Sequence, residues 1–213
     1  MKEQKIGLHE TSRRLAKLSE LLNKAEEIYE EYDVQPTTDF NALFTEVPVN
    51  GAELGKAPFP FTSLYEEIFK EHLRFLREVF MEYSRRTMKN GIEFISFTLE
   101  SGEYVIFEGE ENRVSLPMPH GVTSAHTHPG ICLFSSPDLE TADSLLIKGY
   151  MSIGVMNPQC ALILYRRGPY TLEDRDALMA LIKRVKKATN IEELSRAYTQ
   201  FQSENLGLSV NRF

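Results

Sequence analysis

The stretch from Val122 to Lys148 constrains this chain more than any other. It reads Val-Thr-Ser-Ala-His-Thr-His-Pro to Pro129, then Ser135-Ser136-Pro137-Asp138 at the head of an apolar-periodic run. A β-like run therefore ends at Pro129 and a helix begins a few residues later. Ser is favoured at a helix N-cap and Pro at its first turn. Ser136 reads as the N-cap, Pro137 as the first helical residue, and the helix as 137–148 with Gly149 as its stop. Alternate residues of a strand share a face, so His126 and His128 aim their rings at one point. Asp138 follows His128 by ten residues. Two imidazoles and one carboxylate are the protein ligands of a catalytic zinc site, with the fourth position left to water. The competing reading is a pair of structural histidines on a loop. The helix-opening Asp after the histidine pair favours the metal.

The rest of the chain supplies elements around this stretch. Leu15, Leu18, Leu22, Ala25 and Tyr32 recur at three- and four-residue steps and predict a helix over 9–33. Two readings of it stand: an arm for oligomerisation or partner binding, or a helix packed on its own domain. Pro36, Pro48, Pro58 and Pro60 mark 34–60 as a linker or extended cover. Gly51 to Ala57 lacks both the spacing and the hydroxyl of a phosphate loop. An apolar stripe through Leu64, Ile68, Leu73, Leu76, Val79, Phe80 and Tyr83 predicts a helix over 62–87. His72 reads as a residue of its surface or core edge.

After Asn90-Gly91 the period changes to two. A strand over 92–99 puts Ile95, Phe97 and Leu99 on one face with Glu93, and a turn at Ser101-Gly102 leads to a second strand over 103–108. Another turn follows at 110–112, Pro117 and Pro119 interrupt the next stretch, and Val122 to His126 form a short strand. Two apolar runs, 150–156 and 161–165, flank the turn from Asn157 to Cys160. Thr171 and Asn190 cap two last helices. This order predicts one α/β domain with a mixed sheet over 61–213, preceded by a helical arm and Pro-containing linker over 1–60.

A net charge of −7 disfavours generic nucleic-acid binding, which relies on basic surface. No apolar run is long enough to span a bilayer, and the first residues are polar, so a cytoplasmic location is expected. The two cysteines, Cys132 and Cys160, are too few for a disulfide framework. Cys132, in the loop after His128, has three readings: a fourth zinc ligand, a partner of Cys160, or a small buried thiol, the last being favoured.

Other hydrolytic signatures are absent. His9-Glu10 lacks the second His of His-Glu-x-x-His, and no Pro-Cys-x-x-Cys or Gly-x-Ser-x-Gly occurs. An upstream Glu on a strand, His-x-His-Pro, a short loop and Ser-x-x-Asp opening a helix together resemble the JAMM (MPN+) zinc metallopeptidase family. The matching residues are Glu93, His126, His128, Pro129, Ser135 and Asp138, within a resemblance covering roughly 62–168. The loop before Ser135 is one residue shorter than is usual in that family. Taking Ser136 instead restores the loop but breaks Ser-x-x-Asp.

The resemblance implies a cytidine-deaminase-like α/β fold, a mixed sheet flanked by helices. It implies Zn²⁺ held by His126, His128 and Asp138. Glu93 is then the general base, with Glu108 as the alternative, and Ser135 the oxyanion-stabilising hydroxyl. The implied substrate is a protein or peptide, including an isopeptide to a ubiquitin-like modifier. Two other functions stand beside this one. One is a non-catalytic scaffold that assembles, as a homo-oligomer or with a partner, through the N-terminal helix. The other is a hydrolase of a small molecule.

Overall fold

Strand β1 (Gln4–Leu8) and helix α1 (Glu10–Tyr32) open the chain in the computed structural model. Three short strands, β2 (Pro36–Thr38), β3 (Glu53–Leu54) and β4 (Phe59–Pro60), form a small sheet of their own. A long helical stretch follows: α2 (Ser63–Phe75), a π-helical turn (Leu76–Phe80) and α3 (Met81–Asn90). The hairpin β5 (Phe94–Leu99) and β6 (Glu103–Glu108) leads to β7 (Gly121–Thr127), α4 (Ser136–Ile147), β8 (Ser152–Asn157) and β9 (Cys160–Arg166). Helices α5 (Leu172–Lys187) and α6 (Ile191–Thr199) and strand β10 (Leu206–Arg212) close it. The structure describes residues 4–32, 62–109 and 119–213, with the backbone of β2, β3 and β4. The turn at 110–112, Pro117 and most of the 34–60 linker lie outside these residues.

The main sheet has seven strands in the order β1-β6-β5-β7-β8-β9-β10. Every pair is antiparallel except β7–β8, which α4 connects as a parallel crossover. The protein is thus a mixed α/β structure with helices on both faces of the sheet. Phe94, Ile106, Ala125 and Ile163 face α1, α2 and the π turn, where they meet Leu15, Leu22, Phe75 and Leu76. Phe97, Ile153, Val155 and Leu162 face α4 and α5, where they meet Leu139, Leu146 and Leu178. The extra residue of the π turn keeps Leu76, Val79 and Phe80 buried and carries the stripe on to Tyr83. Gly91 ends α3 at φ +73°, a left-handed conformation natural to glycine.

Helix α1 is a helix packed on its own domain, the second of the two readings above. Its leucines share a core with β5, β6, β7 and β9. Glu26 accepts a hydrogen bond from Arg166 Nη2 at 2.9 Å and another from the Tyr65 hydroxyl, so a buried guanidinium on β9 depends on a carboxylate from α1. Leu15, Leu18, Leu22 and Ala25 of the apolar stripe are thus covered by the chain itself.

Two strands have no counterpart in the sequence reading. β1 lies on the sheet edge with Ile6 and Leu8 more than half exposed, so no buried alternation marks it. β10 does alternate, with Leu206, Leu208 and Val210 on one face, and pairs along all of β9. His72 corrects a further expectation. It is fully buried, its Nδ1 lies 2.7 Å from Ser152 Oγ, and burial lowers the imidazole to about 3, so it is a neutral core residue. Among the described residues, no helix is long and apolar enough to cross a membrane.

Candidate metal centre

The crossover β7–α4–β8 sets the site. Ligand sites of open α/β sheets lie beyond the carboxyl ends of strands, where connections diverge. His126 is near that end of β7, and the chain there turns outward towards α4. Register fixes the faces: Ile95 pairs with His126 across β5–β7, while Phe94 pairs with Glu108 across β5–β6. Directly opposed residues share a face. His126 therefore lies with Ile95 on the α4 face, and Thr127 points the other way, bonded to Thr87 and to the Phe94 amide.

Three side chains converge here. His126 Nε2 and His128 Nε2 are 3.0 Å apart, Asp138 Oδ1 lies 3.4 Å from His126 Nε2, and Asp138 Oδ2 lies 3.5 Å from His128 Nε2. Donors held about 2.0–2.2 Å from a tetrahedral zinc lie about 3.3–3.6 Å from one another. Both nitrogen–oxygen spacings match this geometry, and the nitrogen pair is about 0.3 Å short of it. No other such group of His, Cys, Asp or Glu occurs among the described residues. The residues fit the ion, and they were the ones expected from the sequence.

The surroundings hold His128 and the loop after it in place. His128 Nδ1 lies 3.3 Å from the Ile131 carbonyl, the place of an N–H donor, which leaves Nε2 facing the other two donors. The His128 amide donates to the Met156 carbonyl at 2.8 Å, and Asn157 Nδ2 donates to the Gly130 carbonyl at 2.7 Å. The Tyr198 hydroxyl donates to the Phe134 carbonyl. The shortened loop is thus anchored by β8, by the β8–β9 turn and by α6. Asn157 and Tyr198 escape the sequence reading because their targets are backbone carbonyls, which no side-chain motif announces.

Cys132 also corrects an expectation. It is disulfide-bonded to Cys160, with 6.2 Å between their Cα atoms, so it is neither a free buried thiol nor a zinc ligand. The bond ties the metal loop to the start of β9. In the chain-entropy picture a closed loop of this length contributes about 3.5 kcal/mol. Disulfides are rare in the cytosol, so this one and the cytoplasmic expectation pull in opposite directions.

The helix start differs by one residue from the reading above. Ser135, not Ser136, is the N-cap of α4: its hydroxyl accepts from the Asp138 amide at 3.3 Å, and its amide donates to Asp138 Oδ2 at 2.7 Å. The hydroxyl also lies 2.6 Å from Asp138 Oδ2, donating its one proton there. Ser135 in this structure orients the Asp138 carboxylate, and it reaches an oxyanion only by releasing Asp138. Ser135→Ala should therefore lower stability by about 1 kcal/mol, the usual cost of losing a cap. It should also weaken zinc binding by about 10–100-fold, the usual cost of losing a ligand's outer partner. Thermal melts and a zinc titration measure the two effects separately.

Charge follows the same geometry. Burial raises the Asp138 carboxyl, but hydrogen bonds from His126 and His128 outweigh it and hold the group well below the usual carboxylate range. For His128 burial opposes the charged form, yet the Asp138 carboxylate and, further off, Glu93 outweigh it and raise the imidazole. A proton and a metal ion compete for the same nitrogen. Zinc affinity should fall as pH drops through the raised His128 value, with Asp138 still ionised.

Glu93 precedes β5, exposed, on the side of Ile95 and His126, and it lines one cavity with His128. Its carboxylate makes no hydrogen bond or ion pair among the described residues. Glu108 is opposite Phe94, on the other face of the sheet. Of the two, Glu93 and not Glu108 therefore lies on the side of His126. Compared with protein-family models, curated proteins and solved structures, the chain matches none of them.

Proposed function

We propose that this chain is a zinc-dependent hydrolase of amide bonds, of the JAMM metallopeptidase kind. The substrate is a peptide, or an isopeptide joining a ubiquitin-like modifier to a protein. The observation that carries this reading is the convergence of His126, His128 and Asp138 at tetrahedral ligand spacing beside an exposed carboxylate. Bound zinc supplies acidification of a water and polarisation of the amide carbonyl. The chain's own residues do the rest. Ser135 and the Ile131 carbonyl hold Asp138 and His128 in orientation. Glu93 accepts the proton of the attacking water and delivers it to the departing nitrogen. The zinc-loaded protein should cleave a panel of peptides or modifier–lysine conjugates, lose that activity to a chelator and recover it with zinc. A zinc-loaded protein that cleaves neither class contradicts the reading.

A further inference from the structure

A cavity of about 620 Å³ lies beside the candidate metal centre and is lined by His128, Glu93 and Ser135. Its apolar lining includes Ile131 and Leu133 of the loop after His128 and Val185, Ile191 and Leu194 of the α5–α6 junction. The volume is in the range of sites that hold ligands. Among the described residues no Lys or Arg lines it, its ionisable groups are Glu93 and His128, and its uncharged polar side chains are Ser135, Ser136, Thr189 and Asn190. Ile131 is 53% exposed and Ile191 58% exposed, although each lines the same cavity. Single exposed apolar residues are ordinary. These two line one cavity together with His128 and Glu93.

We propose that this cavity is the specificity pocket of the hydrolase and takes a leucine-sized aliphatic side chain flanking the cleaved amide. The proposal rests on the zinc reading and deepens it. An aliphatic side chain set against Ile131, Leu133, Val185, Ile191 and Leu194 removes its own apolar surface and theirs from water. Ile191 is the residue that best isolates this effect. It is the first residue of α6, more than half exposed, so the fold does not depend on it, and an acid in a first helical turn is favourable.

The test compares two hydroxamic acids on the zinc-loaded protein by calorimetry: acetohydroxamic acid and 4-methylpentanohydroxamic acid. They share a zinc-binding head and differ by a leucine-like tail. The longer one should bind at least about tenfold more tightly. Ile191→Asp should remove that difference while leaving zinc and acetohydroxamic acid affinity unchanged, and Ile191→Leu should keep it. Equal affinity of the two acids for zinc-loaded wild-type protein overturns the proposal, as does a tail preference that survives Ile191→Asp. If the protein binds no zinc, or binds zinc but neither acid, the hydrolase reading fails and the proposal with it.

Discussion

Glu93→Gln should leave zinc bound and lower amide hydrolysis by at least ~10²-fold, the lower end of what a positioned proton-transfer group contributes. Glutamine keeps the shape and hydrogen-bonding capacity of the side chain but accepts no proton at neutral pH. Glu93 is not among the three converging donors, so zinc content should match wild type. Glu108→Gln is the control, because that residue lies on the opposite face of the sheet from His126 and should change the rate little. An active Glu93→Gln with a dead Glu108→Gln would place the base on the wrong strand. Loss of zinc from Glu93→Gln would make Glu93 a ligand or a folding residue instead.

Removing residues 1–35 should abolish folding. Leu15, Leu18, Leu21 and Leu22 are at most 2% exposed. At about 1.5–3 kcal/mol for each buried leucine, these four contribute roughly 6–12 kcal/mol. Whole domains are stable by only about 5–15 kcal/mol. The truncation also strips Glu26 from Arg166, and breaking a buried pair from one side costs a further ~3–5 kcal/mol. Edge strand β1 goes as well, exposing β6 along five register pairs. Circular dichroism of the truncated chain should show no cooperative melt. A melt within a few degrees of the full chain would mean that α1 is dispensable after all.

The difference between that expectation and a detachable arm shows where sequence periodicity stops. The 3.6-residue pattern of α1 is plain in the residues, but a stripe of leucines has the same period whether it meets a second copy or its own sheet. Long-range pairing decides, and β1, the evidence for it here, is five residues long with its apolar side chains outward. The three converging side chains were legible for the opposite reason. The i, i+2 geometry of a strand and the capping chemistry of a helix start are local, so His126, His128 and Asp138 follow from spacing alone. The cap was misplaced by one because Ser135 and Ser136 are adjacent, and only the Ser135–Asp138 hydrogen bonds separate them. That Glu108 lies on the face opposite His126 needed the register of three strands. The Cys132–Cys160 bond needed the loop to fold back onto the β8–β9 turn, and spacing alone does not encode that contact.

Metal content is the most direct test of the central claim. Chain equilibrated with zinc, washed and measured by elemental analysis near pH 7.5 should hold about one zinc, and His126→Ala or Asp138→Ala should hold almost none. The wild-type value should decline as pH falls through the raised His128 value, because the proton favoured there must leave before the metal binds. A folded wild-type chain that retains no zinc, or triad variants that retain it in full, would contradict the account.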